Sequence, residues 1–445
     1  MELNFSPWDT RYRKILPFEL SEEAWTEAQI HVETAWLETL MEEGLCPQMP
    51  RTDLDRLWRG VTKKEIEDVE SRTQHATRAL VEVLEARLVA GGFKSQAAWV
   101  HVGLTSFDTV DTANRLRLKT YFLKTGFGLL DRLQKSLQEW TQRSGQTPQV
   151  GRTHGQWAVP SLLGLLFAES AERLRVLRQG LSADVSDLRG QASGAVGGYQ
   201  GPGLLFADPL QVEERFLKRL GLKPHLGSTQ ILPPEDLIQV AHRFSMMAGV
   251  VAKLAGDLRH LARSEIGEVS EGMSAGQVGS STMPQKKNPW NLEHICSLHK
   301  VVIRSRLALD LDLVSEHQRD LTNSASGRFA MDVFLASHAL MDRMVQVLAK
   351  LQVHTRSLEQ HLKAAGSSVF AEAYYILGTQ AGIPMAHNVV REASREAESK
   401  GLKLGDVLRS QSWLKDSDDE IHERLMQGPR RKLEFLKQRF SEGHS

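Results

Sequence analysis

The segment GSSTMPQKKNP (279–289) puts two serine hydroxyls close in sequence to Lys286 and Lys287, in a stretch bounded by glycine and proline. Serine is far too weak an acid to be ionised in bulk water at neutral pH. To work as a base it needs cations and backbone N–H groups that stabilise its alkoxide in a site drier than water. Lys286 is placed to supply that charge, or to hold a substrate carboxylate. On spacing alone, a solvated Ser/Lys loop remains the simpler reading. Other chemistries fit less well. A hydrolase nucleophile elbow would need Gly-x-Ser-x-Gly after a strand, whereas Thr-Met-Pro follows the serines here. The glycine-rich stretch RGQASGAVGGYQGPG (189–203) lacks the Gly-Lys-Ser/Thr ending of a phosphate-binding P-loop. Glu293, His294, Cys296 and His299 do not have the His-Glu-x-x-His spacing, and no Cys-x-x-Cys occurs, so no metal or other cofactor is expected.

The elements that must position such a loop are helices. Leu174, Leu177, Leu181, Val185 and Leu188 recur every three or four residues, as do Leu237, Ala241, Phe244, Met247, Val251, Leu254, Leu258 and Leu261. Phe334, Met341, Met344, Leu348 and Leu351 form another stripe, and similar patterns cover about 113–143 and 291–313. Each places one apolar face along a long helix. Alternating strand-like runs are scarce. The expected fold is all-α: a central long-helix bundle over 113–350, flanked by smaller helical domains at 1–112 and 351–445. The interruptions are HVGLTSFDTVDT (101–112), TPQVGRTHGQWAVP (147–160), the glycine-rich stretch, the loop 266–289 and SEHQRDLTNSASGR (315–328). A bundle needs only short connections, so a loop as long as 266–289 points to function. Gly267, Gly272, Gly276 and Gly279 are its expected hinges.

Composition limits the partners. The 445 residues carry 55 basic and 55 acidic side chains, so no global field favours nucleic acid or a membrane surface, and an anionic ligand must be met by local cations. Two cysteines make no disulfide framework and suit a reducing compartment. The polar start MELNFSPWDTRYRK has no signal-peptide core, and no segment has the apolar length of a membrane span. The expected location is cytoplasmic.

Taken together, the interruptions resemble a known family. GSSTMPQKKNPWNLE (279–293) is similar to the signature loop of the fumarase/aspartase superfamily, Gly-Ser-Ser-x-Met-Pro-x-Lys-x-Asn-Pro followed by Glu. GRTHGQWAVPS (151–161) and HVGLTSFDTVDTA (101–113) resemble the corresponding segments of the adenylosuccinate lyases within it. SPWDTRY (6–12), STQILPPED (228–236) and HQRDLTNSASGR (317–328) extend the similarity, and AGIPMAHNVV (381–390) continues it weakly. The resemblance implies anti β-elimination across a C–N bond, releasing fumarate and AMP from adenylosuccinate, and fumarate from the succinylated imidazole carboxamide ribotide of purine synthesis.

It also implies roles. Ser280 would be the base with Ser281 beside it, and Lys286 and Asn288 would stabilise the doubly charged aci-carboxylate. His154 would be the general acid, oriented by Glu293. His101, Thr105 and Ser106 would hold the succinyl carboxylates. Arg11, Tyr12, Arg319, Ser324 and Arg328 would hold the nucleotide, with Gln230 and His75 also touching substrate. In such enzymes the signature segments come from different chains, which implies a homotetramer with shared sites and a core of about twenty helices. Three positions depart from the pattern: Ala76 where an acid usually follows the histidine, Trp157 in place of a proline, and Leu165 in place of a common lysine. They bear on substrate preference more than on proton transfer. The alternatives are a sister lyase or cycloisomerase acting on another succinyl or carboxymuconate substrate, and a non-catalytic binding protein on the same fold.

Overall fold

The computed structural model describes residues 5–272, 282, 283 and 285–442. The apolar stripes form the helices Gly164–Ser186, Glu235–Leu261, Trp290–Leu311 and Asp332–Lys350. The 113–143 pattern spans Ser106–Tyr121, one π turn at Phe122–Gly126, and Phe127–Arg143. Phe244, Val251, Leu254 and Leu258 on one stripe, and Phe334, Met341, Met344 and Leu348 on another, are almost fully buried. Each such side chain contributes about 1.5–3 kcal/mol on leaving water.

The chain divides into two compact units, one built from residues up to 130 with 177–248 and 298–340, the other from 131–176, 249–297 and 341 onwards. In the first, Phe122 meets Tyr121, Phe127, Phe244 and Phe334 with ring centroids 4.8–6.2 Å apart. The Tyr121 hydroxyl satisfies itself on His338 Nδ1 at 3.0 Å. In the second, Trp140 stacks on Phe167 and donates its indole N–H to the Leu348 carbonyl at 2.8 Å. A satellite core in that unit gathers Val369, Phe370, Tyr374, Val390, Leu408 and Ile421 around Val150.

The fold is all-α apart from short strands. Val269–Ser270 pairs with Gln352–Val353, and Arg189–Gly190 with Lys223–Pro224. The larger exception is an antiparallel hairpin, Pro148–Thr153 with Gln156–Leu162, where the sequence suggests only a break. No helix among the described residues is long and apolar enough to cross a membrane.

Candidate active site

In the first unit the Glu22–Glu42 helix fixes the segment after residue 100. Glu33 and Trp36 lie three residues apart and share a face. Trp36 Nε1 donates to the Val102 carbonyl at 2.8 Å. The fully buried Glu33 carboxylate accepts from Thr109 Oγ1 at 2.6 Å and sits 2.8 Å from His101 Nδ1. Burial alone would push the His101 pKa down. The charge and hydrogen bond of Glu33, with Asp108 behind them, outweigh it, and the pKa is raised. Thr105 caps the Ser106–Tyr121 helix, its N–H donating to Asp108 Oδ2 at 2.8 Å. Thr105 and Ser106 therefore stand, partly exposed, at the positive end of a helix, beside a histidine biased towards its cation.

The glycine-rich stretch does cradle anions, but they are the chain's own carboxylates. The Ser193 and Gly194 N–H groups both donate to Asp108 at 3.1 Å, and the Ala192 N–H donates to Glu213 at 2.6 Å. Burial is the main cause that raises the Asp108 carboxyl to about 7, against these donors. The same stretch receives Gln230, whose Nε2 donates to the Ala195 carbonyl at 3.0 Å. Gln230 Oε1 in turn accepts from Arg319 at 3.1 Å, and the Arg319 guanidinium lies over the Phe107 ring, 3.8 Å from its centroid. Four segments, at 101–112, 189–203, 228–236 and 315–328, thus meet within one unit. His101, Thr105, Ser106, Gln230 and Arg319 belong to them.

In the second unit the THGQ segment forms the hairpin tip. Thr153 pairs with Gln156, and His154 and Gly155 between them have φ of 53° and 75°. Positive φ at both central residues is the type I′ turn that matches strand twist. His154 is exposed at this tip. Below it, Arg152 forks onto the buried Glu268 carboxylate at 2.5 and 3.1 Å, joined by Gln149 Nε2 at 2.9 Å and His361 Nδ1 at 2.7 Å. Burial opposes the Glu268 charge, and these donors overcome it, so its pKa is lowered.

The long loop is pinned at both ends. Glu271 accepts from the Leu292 N–H at 2.6 Å and from Asn291 through backbone and side chain at 3.2 and 2.8 Å, capping the Trp290–Leu311 helix from a distance. The Gly272 N–H donates to the Lys350 carbonyl at 3.0 Å, and a Cβ there would lie 2.1 Å from that oxygen. Lys286 is exposed, Asn288 is partly exposed, and Glu293 is exposed in the first turn of the helix that Glu271 caps. Ser280 and Ser281 lie outside the described residues.

Residues 25–303 match the family described as Lyase, and residues 315–427 match Adenylosuccinate lyase C-terminal. The adenylosuccinate lyase of Archaeoglobus fulgidus is 31% identical over 418 residues, covering 91% of this chain and 90% of that one. That of Methanocaldococcus jannaschii is 30% identical over 415 residues, covering 91% and 88%. The chain belongs to the adenylosuccinate lyase family. Among solved structures, the 3-carboxy-cis,cis-muconate lactonizing enzyme of Pseudomonas putida superposes with a TM-score of 0.82 at 23% identity, over 98% of each chain. A fumarate lyase from Mesorhizobium sp. BNC1 reaches 0.75 at 21% identity, over 98% of this chain and 96% of that one. At that identity the likeness concerns the fold, which is the fumarase/aspartase one.

The remaining predicted residues of this lyase belong to the first unit. Arg11 is exposed, and Tyr12 packs its ring against Trp8, whose indole donates to Asp332 at 3.0 Å. His75 caps the Ala76–Ala90 helix, Nδ1 accepting from the Arg78 N–H at 3.2 Å, with Ala76 as the helix's first residue. Ser324 and Arg328 are exposed at either end of the short Ser324–Gly327 helix. Of the departures, Leu165 is buried, and Trp157 sits beside His361 at 6.4 Å between centroids. Glu33, Phe107, Glu268 and His361 support the lyase's predicted groups, yet the sequence alone does not single them out. Among the described residues no group of three or more His, Cys, Asp or Glu is placed to hold a metal.

Proposed function

We propose that this lyase cleaves adenylosuccinate to AMP and fumarate by anti β-elimination, and the succinylated imidazole carboxamide ribotide in the same way. The observation that carries the reading is the cationic set in the first unit: His101 held by Glu33, the helix end at Thr105 and Ser106, and Arg319 stacked on Phe107 beside Gln230. It suits a small substrate with carboxylates at one end and a phosphate at the other. Kinship of 31% over nine-tenths of the chain supports the choice of substrate.

In this reading Ser280, supported by Ser281, removes the proton beside the carboxylate. Lys286 and Asn288 stabilise the aci form, where one oxyanion donor is worth about 3–4 kcal/mol. His154, oriented by Glu293, protonates the departing nitrogen, a role suited to imidazole because its ordinary pKa of about 6.5 lies near working pH. His101, Thr105 and Ser106 take the succinyl carboxylates. Arg319, Arg328, Ser324, Arg11 and Tyr12 take the nucleotide, and Gln230 and His75 complete the contacts. A general acid works best away from bulk water, and His154 is exposed on its hairpin. The reading therefore includes a homotetramer in which neighbouring chains cover each site, with 1–112, 113–350 and 351–445 as functional regions. A cytoplasmic location accords with a chain whose two cysteines make no disulfide framework.

The test is fumarate release, followed by its ultraviolet absorbance, on adding adenylosuccinate. Ser280→Ala and His154→Ala should each reduce turnover to a small residual rate with assembly intact, and near-normal rates in either would remove that residue from its role. A panel of other succinylated amines and carboxymuconate distinguishes the sister reading, which predicts turnover there and none of adenylosuccinate.

A further inference from the structure

We infer that Glu268 is a positioning residue that fixes the His154 hairpin to residues 269–272, which precede the serine motif in sequence. The inference rests on His154 being the general acid. Glu268 is fully buried, and both carboxylate oxygens are used: Oε2 by Gln149 and Arg152, Oε1 by Arg152 and His361. A buried carboxylate persists only when so paired. Two of its three partners, Gln149 and Arg152, lie on the strand that ends at the His154 turn, and Arg152 is two residues from His154. The third partner, His361, also flanks Trp157 on the returning strand. One carboxylate therefore addresses both strands of the hairpin.

Its own backbone is equally constrained. The Glu268 N–H donates to the Leu261 carbonyl at 2.9 Å, and its carbonyl accepts from the His354 N–H at 2.9 Å. Glu268 stands three residues before Glu271, which caps the helix after the loop, and twelve before Ser280. A two-stranded hairpin is marginal by itself. With its root ion-paired here, the tip is tied to a residue whose own backbone is held on both sides by Leu261 and His354. This matters because a misplacement of about 1 Å in a reacting group can lower a rate about 100-fold.

Glu268→Gln keeps the side chain's size while removing its charge and one acceptor. Assayed in the full chain by fumarate release, it should lower kcat about 10- to 100-fold with KM little changed. In a His154→Ala background the same substitution should bring no further loss of the residual rate, since a clamp acting through His154 has nothing left to position. A residue that merely stabilises the fold would give the same proportional loss in both backgrounds, and that result overturns the inference. So does an unchanged kcat in Glu268→Gln. If circular dichroism shows that Glu268→Gln does not fold, Arg152→Lys, which keeps charge but loses the fork, enters the same two-background comparison, where the same outcomes support or overturn the inference. A wild-type chain inert towards adenylosuccinate, or a fully active His154→Ala, would instead remove the reading underneath, so the two failures are told apart by the parent enzymes.

Discussion

Arg319 is held in place before any ligand arrives. Its guanidinium lies over the Phe107 ring and its N–H is on Gln230, so little rotamer freedom remains to be lost on binding. A cation–π contact of this kind is worth about 0.5–2 kcal/mol. Phe107→Ala should therefore raise KM about 2- to 30-fold and leave kcat nearly unchanged. A fall in kcat with KM constant would assign Arg319 to the chemical step instead. His101 carries a pH prediction. Its folded pKa lies above the ordinary value, so the stability it draws from Glu33 is complete below about pH 6.5 and is lost as pH rises through the folded pKa. The Tm gap between wild type and Glu33→Gln should be widest in mild acid and narrow as pH rises through the raised His101 pKa. A gap constant with pH would mean that Glu33 acts only as a neutral-range hydrogen-bond acceptor for Thr109. Single residues were legible in sequence only where a motif surrounds them. Glu33 sits in AQIHVETAW like any solvated helix glutamate, and its partner His101 is 68 residues away. Glu268 has partners 93 to 119 residues distant, and nothing local announces them.

At the scale of elements, the long helices were readable because a 3.6-residue apolar period needs only local sequence. The hairpin was not. Its turn is His-Gly in place of the usual Asn-Gly, and its second strand contains Pro160, which argues against a strand. The glycines before the serine loop read as hinges in sequence, whereas Gly272 is there because Lys350 O leaves no room for a Cβ. Gly267 has φ of 57° and its N–H is bonded to the Arg263 carbonyl at 2.7 Å, so it too belongs to a fixed turn. Gly272→Ala should cost about 1–3 kcal/mol in denaturant unfolding. Loss of less than a few tenths would show that the Gln352–Val353 segment yields easily.

The whole molecule raises the question of assembly. Within the first unit Leu307, Leu311, Val314, Leu321 and Phe329 are all more than half exposed, an apolar load rarely left to water by a monomer. The proposed tetramer gives that surface a partner. If sites are shared, mixing His154→Ala with Ser280→Ala chains under conditions of subunit exchange should restore fumarate release, because some sites then receive an intact histidine and an intact serine from different chains. Mixtures as inactive as their parents, with exchange demonstrated by tagged subunits, would confine each site to one chain.

The αL backbone at the hairpin tip has an evolutionary consequence. A side chain other than glycine held at positive φ, as His154 is, sacrifices about 1–2 kcal/mol. Selection for heat resistance alone would therefore favour glycine at position 154, and on the proposed role every such gain would be an inactive protein. Libraries built to harden this chain should be sorted by turnover first and melting temperature second. Sorted the other way round, they would enrich the substitution that abolishes activity.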